Sequence, residues 1–374
     1  MTLPLDGLRI GLLTASASRL GGGVAEAVII QAAMIRELGG EAVVFALEDE
    51  FAEEDRARYA PSTLHLLPMR GPAQIGYAPG LAQSLMAAKL DVLHLHGIWM
   101  YPSRAGARWA KATAKPYLIS PHGMLDPWIT GRSKGKKAVA RLLYEHDSWR
   151  RAAAFHALTR REAGDVKTQS GKTNSLLIPN AGPPLSAPVT HLRPPHVVYL
   201  GRIHPKKNLL ALVEAWAQLA PGGGAQLTIA GWGDDASVAD LRAALAAGPA
   251  SAQFIGPVYG EAKQRLLDSA RFTVLPSLCE GLPMSVLEGW SAGAPAILSG
   301  ECNLPDAVAQ GAGIDSGYTA QTITAALNQV LALNEAEWLT MARASQALAA
   351  GPYCAAEITA QWGRAYQTMV TEQN

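Results

Sequence analysis

Short apolar runs alternate with amphipathic stretches along almost the whole chain, and this alternation limits the folds that the sequence can adopt. The apolar runs have the length of buried strands, and the stretches between them have helical periodicity. Parallel strands joined by crossover helices produce this pattern, so the sequence predicts the α/β class. The predicted strands are 8–14, 42–47, 64–67, 91–95, 117–120, 154–157, 175–178, 196–200, 226–230, 253–255, 272–275 and 296–299.

A stretch dense in proline and free of periodicity, residues 179–195, divides the strands into two series. With 374 residues the chain is long enough for two domains. We therefore predict a first domain over 1–180, a linker over 181–195 and a second domain over 196–352. Such a linker restricts two domains without locking them, so we expect them to hinge and to close on a ligand. A last helix over 353–370 is expected to return and brace the first domain.

The composition indicates a globular protein, with 49% hydrophobic and 17% charged residues. The three cysteines show no C-x-x-C spacing, which argues against a disulfide framework or a zinc site. The first residues lack a charged segment followed by an apolar core, and no apolar run reaches 18 residues. We expect a cytoplasmic protein.

Positive charge is concentrated in residues 100–172, which contain 15 Lys and Arg against 5 Asp and Glu. The densest part holds five cations, Arg132, Lys134, Lys136, Lys137 and Arg141. Peripheral binding to an anionic membrane, or to a polyprenyl-linked acceptor, would suit this charge, and a solvated basic face is the alternative. No helix-turn-helix, zinc-finger or interleaved aromatic pattern accompanies the cations, so we do not expect nucleic acid as a partner.

Two glutamates eight positions apart, Glu280 and Glu288, mark the most informative loop. An apolar strand precedes them, and Pro283 stands where the first helical residue is expected. Glu280 then lies in the turn, and Glu288 lies about 7 Å further along the helix axis. Free backbone N–H groups of Gly281, Leu282 and Met284, around Pro283 and at the positive end of a helix dipole, would bind phosphate.

Carboxylates beside such a phosphate site would accept hydrogen bonds from hydroxyl groups, and a nucleotide sugar offers both chemistries. The alternative is that both glutamates are solvated, as most glutamates are. Two cations, Arg202 and Lys207, follow another predicted strand and could grip a diphosphate from different sides. The alternative for them is an exposed helix-start turn.

Two segments of the first half are weaker candidates. The glycine run Gly21–Gly23 follows the first strand, where it would let backbone approach a ligand or simply make the turn flexible. His122, like His94 and His96, lies at the end of a predicted strand, where it could bond a sugar hydroxyl or fill a structural role.

The D-x-D sequence that holds a divalent metal against a nucleotide diphosphate does not occur. Cationic side chains and a helix N-terminus would then neutralise the departing diphosphate, so we expect no metal and no cofactor.

Taken together, Gly21-Gly-Gly-Val, His122-Gly-Met-Leu-Asp-Pro-Trp, Ile178-Pro-Asn, Gly201-Arg through Lys207-Asn, and Glu280-Gly-Leu-Pro through Leu287-Glu288 resemble glycosyltransferase family 4. The His122 segment is most similar to enzymes that build bacterial O-antigens, capsules and exopolysaccharides. The resemblance implies the GT-B fold, two Rossmann-like domains facing each other across a cleft. It further implies metal-independent, retaining transfer of a hexose from a UDP- or GDP-linked sugar to a glycan or a polyprenyl-diphosphate-linked acceptor.

The resemblance also implies roles for individual residues. Glu288 would bind the ribose, Glu280 with the backbone of Gly281–Pro283 would hold the donor sugar, and Arg202 with Lys207 would hold the diphosphate. The remaining implied donor contacts are Gly22, Gly23, His122, Met284 and Val258, the last beside the base. The sequence departs from the family pattern in having Ala181 after Pro-Asn and Gly289 after the second glutamate.

We expect front-face transfer, in which the leaving diphosphate takes the acceptor proton, because the resemblance places Glu280 against sugar hydroxyls. Two other functions remain open: a nucleotide-sugar epimerase on the same fold, and a non-enzymatic two-domain sugar-binding protein. Consumption of the donor only when an acceptor is present would exclude the first.

Overall fold

The computed structural model describes residues 3–132, 134–219 and 224–372 of the chain. These residues form two compact units, Met1–Pro179 with Ile358–Asn374, and Asn180–Glu357. Each unit is built on its own sheet, and the strand pairs described in both sheets are parallel. The α/β class predicted from the alternation of strands and helices is therefore confirmed.

The first unit contains a seven-stranded sheet in the order β3-β2-β1-β4-β5-β6-β7. Strands β1 and β4 are buried along almost their whole length, because helices cover both faces of the sheet. Its strands are β1 (Arg9–Thr14), β2 (Glu41–Leu47), β3 (Thr63–Leu67), β4 (Val92–His96), β5 (Tyr117–Ser120), β6 (Ala154–Ala157) and β7 (Ser175–Leu177). Its helices are α1 (Gly23–Glu37), α2 (Leu81–Ala87), α3 (Tyr101–Thr113), α4 (Pro127–Thr130), α5 (Lys134–Ala140), α6 (His146–Arg151) and α7 (Arg160–Ser170).

The second unit contains a six-stranded sheet in the order β10-β9-β8-β11-β12-β13. Its strands are β8 (His196–Leu200), β9 (Gln226–Ala230), β10 (Ala252–Phe254), β11 (Phe272–Leu275), β12 (Ala296–Leu298) and β13 (Gly313–Asp315). Its helices are α8 (Leu209–Ala217), α9 (Asp235–Ala246), α10 (Gly260–Ser269), α11 (Met284–Ser291), α12 (Pro305–Ala309), α13 (Ala320–Leu331) and α14 (Glu335–Ala350). A last helix, α15 (Ala355–Thr371), begins at the end of this unit.

The segment 181–195, which we predicted as a linker, lies within the second unit. Its polar groups are bonded there: the Gly182 amide donates to the Tyr353 carbonyl at 2.8 Å, and the Ser291 hydroxyl donates to the Pro183 carbonyl at 3.0 Å. Arg193 donates to the carbonyl of Ala270 at 2.7 Å. The chain leaves the first unit after Pro179, so these prolines belong to the second unit and not to a separate linker.

Helix α15 belongs to the first unit from Ile358 onward. The Tyr366 hydroxyl lies 2.8 Å from Nδ1 of His94 on β4, and the amide of Gln31 on α1 donates to the same hydroxyl at 3.0 Å. Trp362 packs 5.3 Å from the His94 ring. A polar network therefore fixes the end of the chain to the first sheet.

The twelve strands predicted from apolar runs are all present, within about two residues at each end, whereas β13 was missed. This strand is only three residues long, and Gly311 and Gly317 stand close on either side of it. A run this short has no periodicity of its own, and it is a strand only because it pairs with β12.

Candidate active site

In both sheets the strand order reverses at one place, between β1 and β4 in the first unit and between β8 and β11 in the second. Open parallel sheets bind ligands outside the carboxyl ends of their strands at such a reversal, because the loops there diverge and leave a crevice. The second-unit loops at this point contain Arg202 and Lys207 after β8, and Glu280 after β11. The topology thus brings together residues that are more than 70 positions apart.

Helix α11 begins one residue later than we predicted. Pro283 is the residue before the first turn, with φ −76° and ψ 113°, and Met284 opens the helix. This ψ lies outside the helical range, so Pro283 is extended and does not belong to the helix. Among the residues that the structure describes, the amides of Gly281, Leu282 and Met284 donate to no protein acceptor. The helix N-terminus therefore keeps the free N–H groups that a phosphate would need.

Glu280 and Lys207 form an ion pair that is almost completely buried, with side chains 7% and 12% exposed. The Lys207 ammonium donates to Oε1 of Glu280, and the Ser277 hydroxyl donates to the same oxygen at 2.6 Å. The loop is fixed further by Asn303, whose amide donates to the Glu280 carbonyl at 2.5 Å. Two residues that we had assigned to different parts of the donor, the sugar and the diphosphate, thus neutralise each other in this structure.

Glu288 is also paired, since Lys263 on α10 donates to its Oε1 at 2.9 Å. The Glu288 side chain is 19% exposed and the Lys263 side chain 34% exposed. Glu288 is therefore partly accessible, as a residue that binds ribose hydroxyls must be, but a cation already holds one of its oxygens. No sequence pattern indicated Lys263, because it lies on a different helix 25 residues away.

Arg202 lies beside Trp232, with its guanidinium carbon 5.1 Å from the centre of the indole ring. Both residues are exposed, and Trp232 keeps 46% of its surface accessible. The two loops meet because Trp232 stands between glycines: a Cβ on Gly231 would lie 1.7 Å from the Gly201 carbonyl oxygen, and one on Gly233 would lie 2.3 Å from that of Ile203. The ring holds the guanidinium without neutralising it.

Val258, the residue that the resemblance places beside the base, lies between β10 and α10 at the same end of the second sheet. It is half-buried, and its neighbour Tyr259 is 70% exposed. The position suits a contact with a flat apolar ligand.

In the first unit, the glycine run lies between β1 and α1. Gly22 has φ 53° and precedes the first residue of α1, Gly23. A Cβ at either position would meet no atom within 4 Å, so open space lies beside this backbone. Arg19, just before the run, is not available to a ligand because it binds Asp55 through two nitrogens, at 2.7 and 3.1 Å, and lowers the pKa of Asp55 to about 2.

His122 adopts a left-handed conformation with φ 53°, which is uncommon for residues other than glycine. Its Nε2 lies 3.0 Å from Nδ1 of His96, and the next amide, of Gly123, donates to buried Glu162 at 2.6 Å. The histidine cluster consists of His94, His96, His122 and His156. Burial lowers the pKa of all four, so they are neutral near pH 7.

Hydrogen bonds fix the tautomers within this cluster. Nε2 of His156 lies 2.7 Å from the Ile178 carbonyl and must donate to it, so Nδ1 of the neutral ring accepts from Ser120 at 2.7 Å. The Ser120 oxygen then accepts from Nε2 of His94 at 2.6 Å, and Nδ1 of His94 accepts from the Tyr366 hydroxyl. His94 and His156 are therefore structural, whereas His122 is half-buried and open to a ligand.

The structure thus brings some predicted residues together and separates others. Glu280 and Lys207 are in contact, and Arg202 shares the loop of Lys207. Glu288 is on the helix that follows Glu280, with its own cationic partner. Gly22, Gly23 and His122 are in the other unit, at the carboxyl ends of its strands.

No group of three or more His, Cys, Asp or Glu side chains in residues 3–132, 134–219 and 224–372 is placed to hold a metal ion. Over the same residues, no helix is both long enough and apolar enough to cross a bilayer.

Two protein-family models match the chain. The model described as glycosyl transferase 4-like domain matches residues 22–181, and the model described as glycosyl transferases group 1 matches residues 194–334. Together these two ranges cover more than half of the chain and parts of both units.

Solved structures share the fold over almost the full length. HepE from Anabaena, solved in complex with UDP and glucose, has a TM-score of 0.77 and 17% identity over 96% of this chain and 99% of that chain. Sucrose-phosphate synthase from Thermosynechococcus elongatus has a TM-score of 0.79 and 18% identity over 98% and 100%. A putative UDP-N-acetylglucosamine 2-epimerase from Listeria monocytogenes has a TM-score of 0.66 and 13% identity over 98% of each chain. No curated protein sequence matches the chain.

Proposed function

We propose that this chain, which belongs to the glycosyltransferases of the GT-B fold, transfers a hexose from a nucleotide-diphosphate sugar to a glycan or lipid-linked acceptor. The donor class is supported by HepE, a protein of the same fold that was solved with UDP and glucose. The proposal includes a cytoplasmic location and a role in the synthesis of bacterial surface polysaccharide. The role is supported by the resemblance of the His122 segment to enzymes of that synthesis.

One observation carries the donor assignment: the Lys207–Glu280 pair lies beside the free N-terminus of α11, where the strand order of the second sheet reverses. A diphosphate placed at the free amides would meet the positive end of the helix and the Lys207 ammonium together. Glu280, held by Lys207 and Ser277, would direct its remaining lone pairs to sugar hydroxyls.

We propose that the reaction needs no metal, because cationic groups of the chain replace it. Arg202 is exposed and its guanidinium rests on Trp232, and among the residues that the structure describes no carboxylate forms an ion pair with it. Such a group can bind two oxygens of the departing diphosphate at once. Removal of one preorganised charge-stabilising donor typically lowers turnover by about 10² to 10³.

We propose that transfer proceeds with retention and on the front face of the sugar. The bond between the anomeric carbon and the diphosphate oxygen breaks, the acceptor oxygen bonds to the same face, and its proton passes to the leaving diphosphate. A double displacement would require Glu280 as nucleophile. Because the Glu280 carboxylate is already bound by an ammonium and a hydroxyl, it is a weak nucleophile, which supports the front-face path.

The remaining contacts belong to the same proposal. Glu288 would accept hydrogen bonds from the ribose with the oxygen that Lys263 leaves free, and Val258 would border the base. The roles of Gly22, Gly23 and His122 rest on the family resemblance. The open space beside the two glycines and the accessible ring of His122 are compatible with it.

The test is donor consumption over a panel of UDP-, GDP- and other nucleotide sugars, with and without glycan or lipid-linked acceptors and with chelator present. We expect one donor to be consumed with release of free nucleotide, and Arg202→Ala to lower turnover by about 10². Arg242→Ala is the matched control, since Arg242 also packs over an aromatic ring of this unit, Phe254, at 5.0 Å. Sugar conversion without nucleotide release would instead identify an epimerase, and binding of free sugars alone would identify a sugar-binding protein.

A further inference from the structure

The helical segment 134–151 contains a π-helical turn, Arg141–Glu145, between α5 and α6. The side chains that this segment buries are Ala140, Glu145, Ser148 and Trp149, so five residues separate the first two, whereas only three or four separate Glu145 from the next two. The additional residue of the π turn leaves a wider outward-facing interval. As a result Leu142 and Leu143, which are adjacent in sequence, are both exposed, at 84% and 59%.

Val139, one turn earlier, is 56% exposed. Three large aliphatic side chains within five residues thus point into solvent on one helical segment. Exposed aliphatic groups that are contiguous indicate a surface that contacts an apolar partner. We call Val139, Leu142 and Leu143 the aliphatic ridge.

Cations surround the ridge. The five cations Arg132, Lys134, Lys136, Lys137 and Arg141 lie within a stretch of ten residues, and in the described part of the chain none of them forms an ion pair with a carboxylate. Arg141 faces the buried Glu145 at longer range, and burial raises the pKa of that carboxyl to about 7, so its negative charge only partly offsets the cations. The segment is therefore both strongly cationic and apolar.

A cleft of about 760 Å³ opens beside the ridge, and all of its lining belongs to the first unit. Trp99, Lys134, Lys137, Arg141, Leu142 and His146 are among the residues that line it. Arg141 is held in place by Gln169, which accepts from it at 2.6 Å, and lies 5.2 Å from the Trp149 ring. The cleft thus offers fixed cations and an apolar wall to the same ligand.

We propose that this face docks on an anionic lipid surface, with lipid phosphate in the cationic cleft and the aliphatic ridge among the acyl chains. The proposal deepens the proposed function, because it names the surface that would present a lipid-linked acceptor. Charge complementarity selects an anionic partner, and the ridge selects a membrane over a soluble anion or a nucleic acid, neither of which would contact three bare aliphatic side chains.

The experiment compares binding of the full-length chain to phosphatidylcholine vesicles with and without phosphatidylglycerol. The Leu142→Ser/Leu143→Ser variant removes most of the ridge, and Lys134→Gln/Lys136→Gln removes two exposed cations. The control Met86→Ser/Lys89→Gln changes an exposed apolar residue and an exposed cation on another part of the first unit. Circular dichroism and donor hydrolysis without lipid verify that each variant is folded and active.

We expect binding only to the anionic vesicles. The affinity for them should fall about tenfold or more in the leucine variant and about fivefold per removed cation in the lysine variant. The control variant should bind like the unaltered chain. The proposal is overturned if the chain does not bind the vesicles or if binding survives the loss of the two leucines. It is also overturned if inorganic diphosphate or a single-stranded oligonucleotide binds with the same affinity as the anionic vesicles. Donor hydrolysis separates the two hypotheses, because it can persist when membrane docking fails.

Discussion

The buried pair between Lys207 and Glu280 allows a quantitative test of the donor site. Replacing Lys207 with Met leaves a carboxylate that is 7% exposed and that keeps, among the described residues, the Ser277 hydroxyl as its partner. Removal of one member of a buried pair costs about 3 to 5 kcal/mol, and because Ser277 stays bonded we expect about 3 kcal/mol. Glu280→Gln should cost at least as much, since it leaves an ammonium uncompensated.

The double variant Lys207→Met/Glu280→Gln carries no unpaired charge. We therefore expect the two single losses not to add: the double variant should be about as stable as Lys207→Met, about 3 kcal/mol below the unaltered chain, so that the coupling free energy of the pair is at least about 3 kcal/mol. The four chains are compared by urea unfolding of the second-unit transition. Hydrogen exchange of the Leu278 and Glu280 amides, which donate to carbonyls at 2.7 and 3.0 Å, gives a local readout of the same loop.

Arg265 and Glu261 provide the control, because they form an ion pair in the same unit with side chains 71% and 91% exposed. Exposed pairs of this spacing couple by about 0.3 to 0.5 kcal/mol. A coupling free energy for Lys207 and Glu280 as small as that of the control would refute the closed, buried pair. It would also remove the argument that Glu280 is a weak nucleophile.

Three further predictions concern other parts of the chain. Glu288→Ala should weaken UDP binding, measured by calorimetry, by about tenfold or more, and Lys263→Ala by less, because Lys263 only holds the carboxylate; equal losses would contradict this order. Trp232→Ala should lower turnover about 2- to 30-fold while Trp232→Phe retains it, since a phenyl ring still supports Arg202; an identical loss in both would argue against the cation–π contact. The histidine cluster should make stability depend on pH, because the pKa values of its members in the folded chain lie below 6.5. As pH falls from about 6.5 toward 4, the unfolded chain therefore binds more protons than the folded chain. The free energy of unfolding should then drop by up to about 1.4 kcal/mol per pH unit for each histidine. Denaturant unfolding at pH 7, 6 and 5 checks this, and a constant stability would contradict it.

The location of the candidate site could be predicted from the sequence because its residues follow strands. Glu280 and Lys207 each come a few positions after an apolar run, and any parallel sheet places such residues at its carboxyl edge. The helix after Glu280 was predictable from its periodicity, but its first residue was not, since Pro283 stays extended when the helix starts at Met284.

The partners of these residues were not predictable. Lys207 meets Glu280 because β8 and β11 are neighbours in the sheet, although two strands separate them along the chain. Trp232 reaches Arg202 because β9 flanks β8 on the other side, and the glycines around it permit the approach. Lys263 and the exposed leucines of the π turn likewise follow from packing, and no local pattern indicates them.

By itself, the sequence determined the alternation of strands and helices, the number of units and the loops that carry charged side chains, because these depend on short-range periodicity and turn chemistry. The tertiary structure decided which charges neutralise each other, which histidines lose their protons and which apolar side chains stay in water. Those outcomes depend on burial and on strand order, which join residues that are distant along the chain.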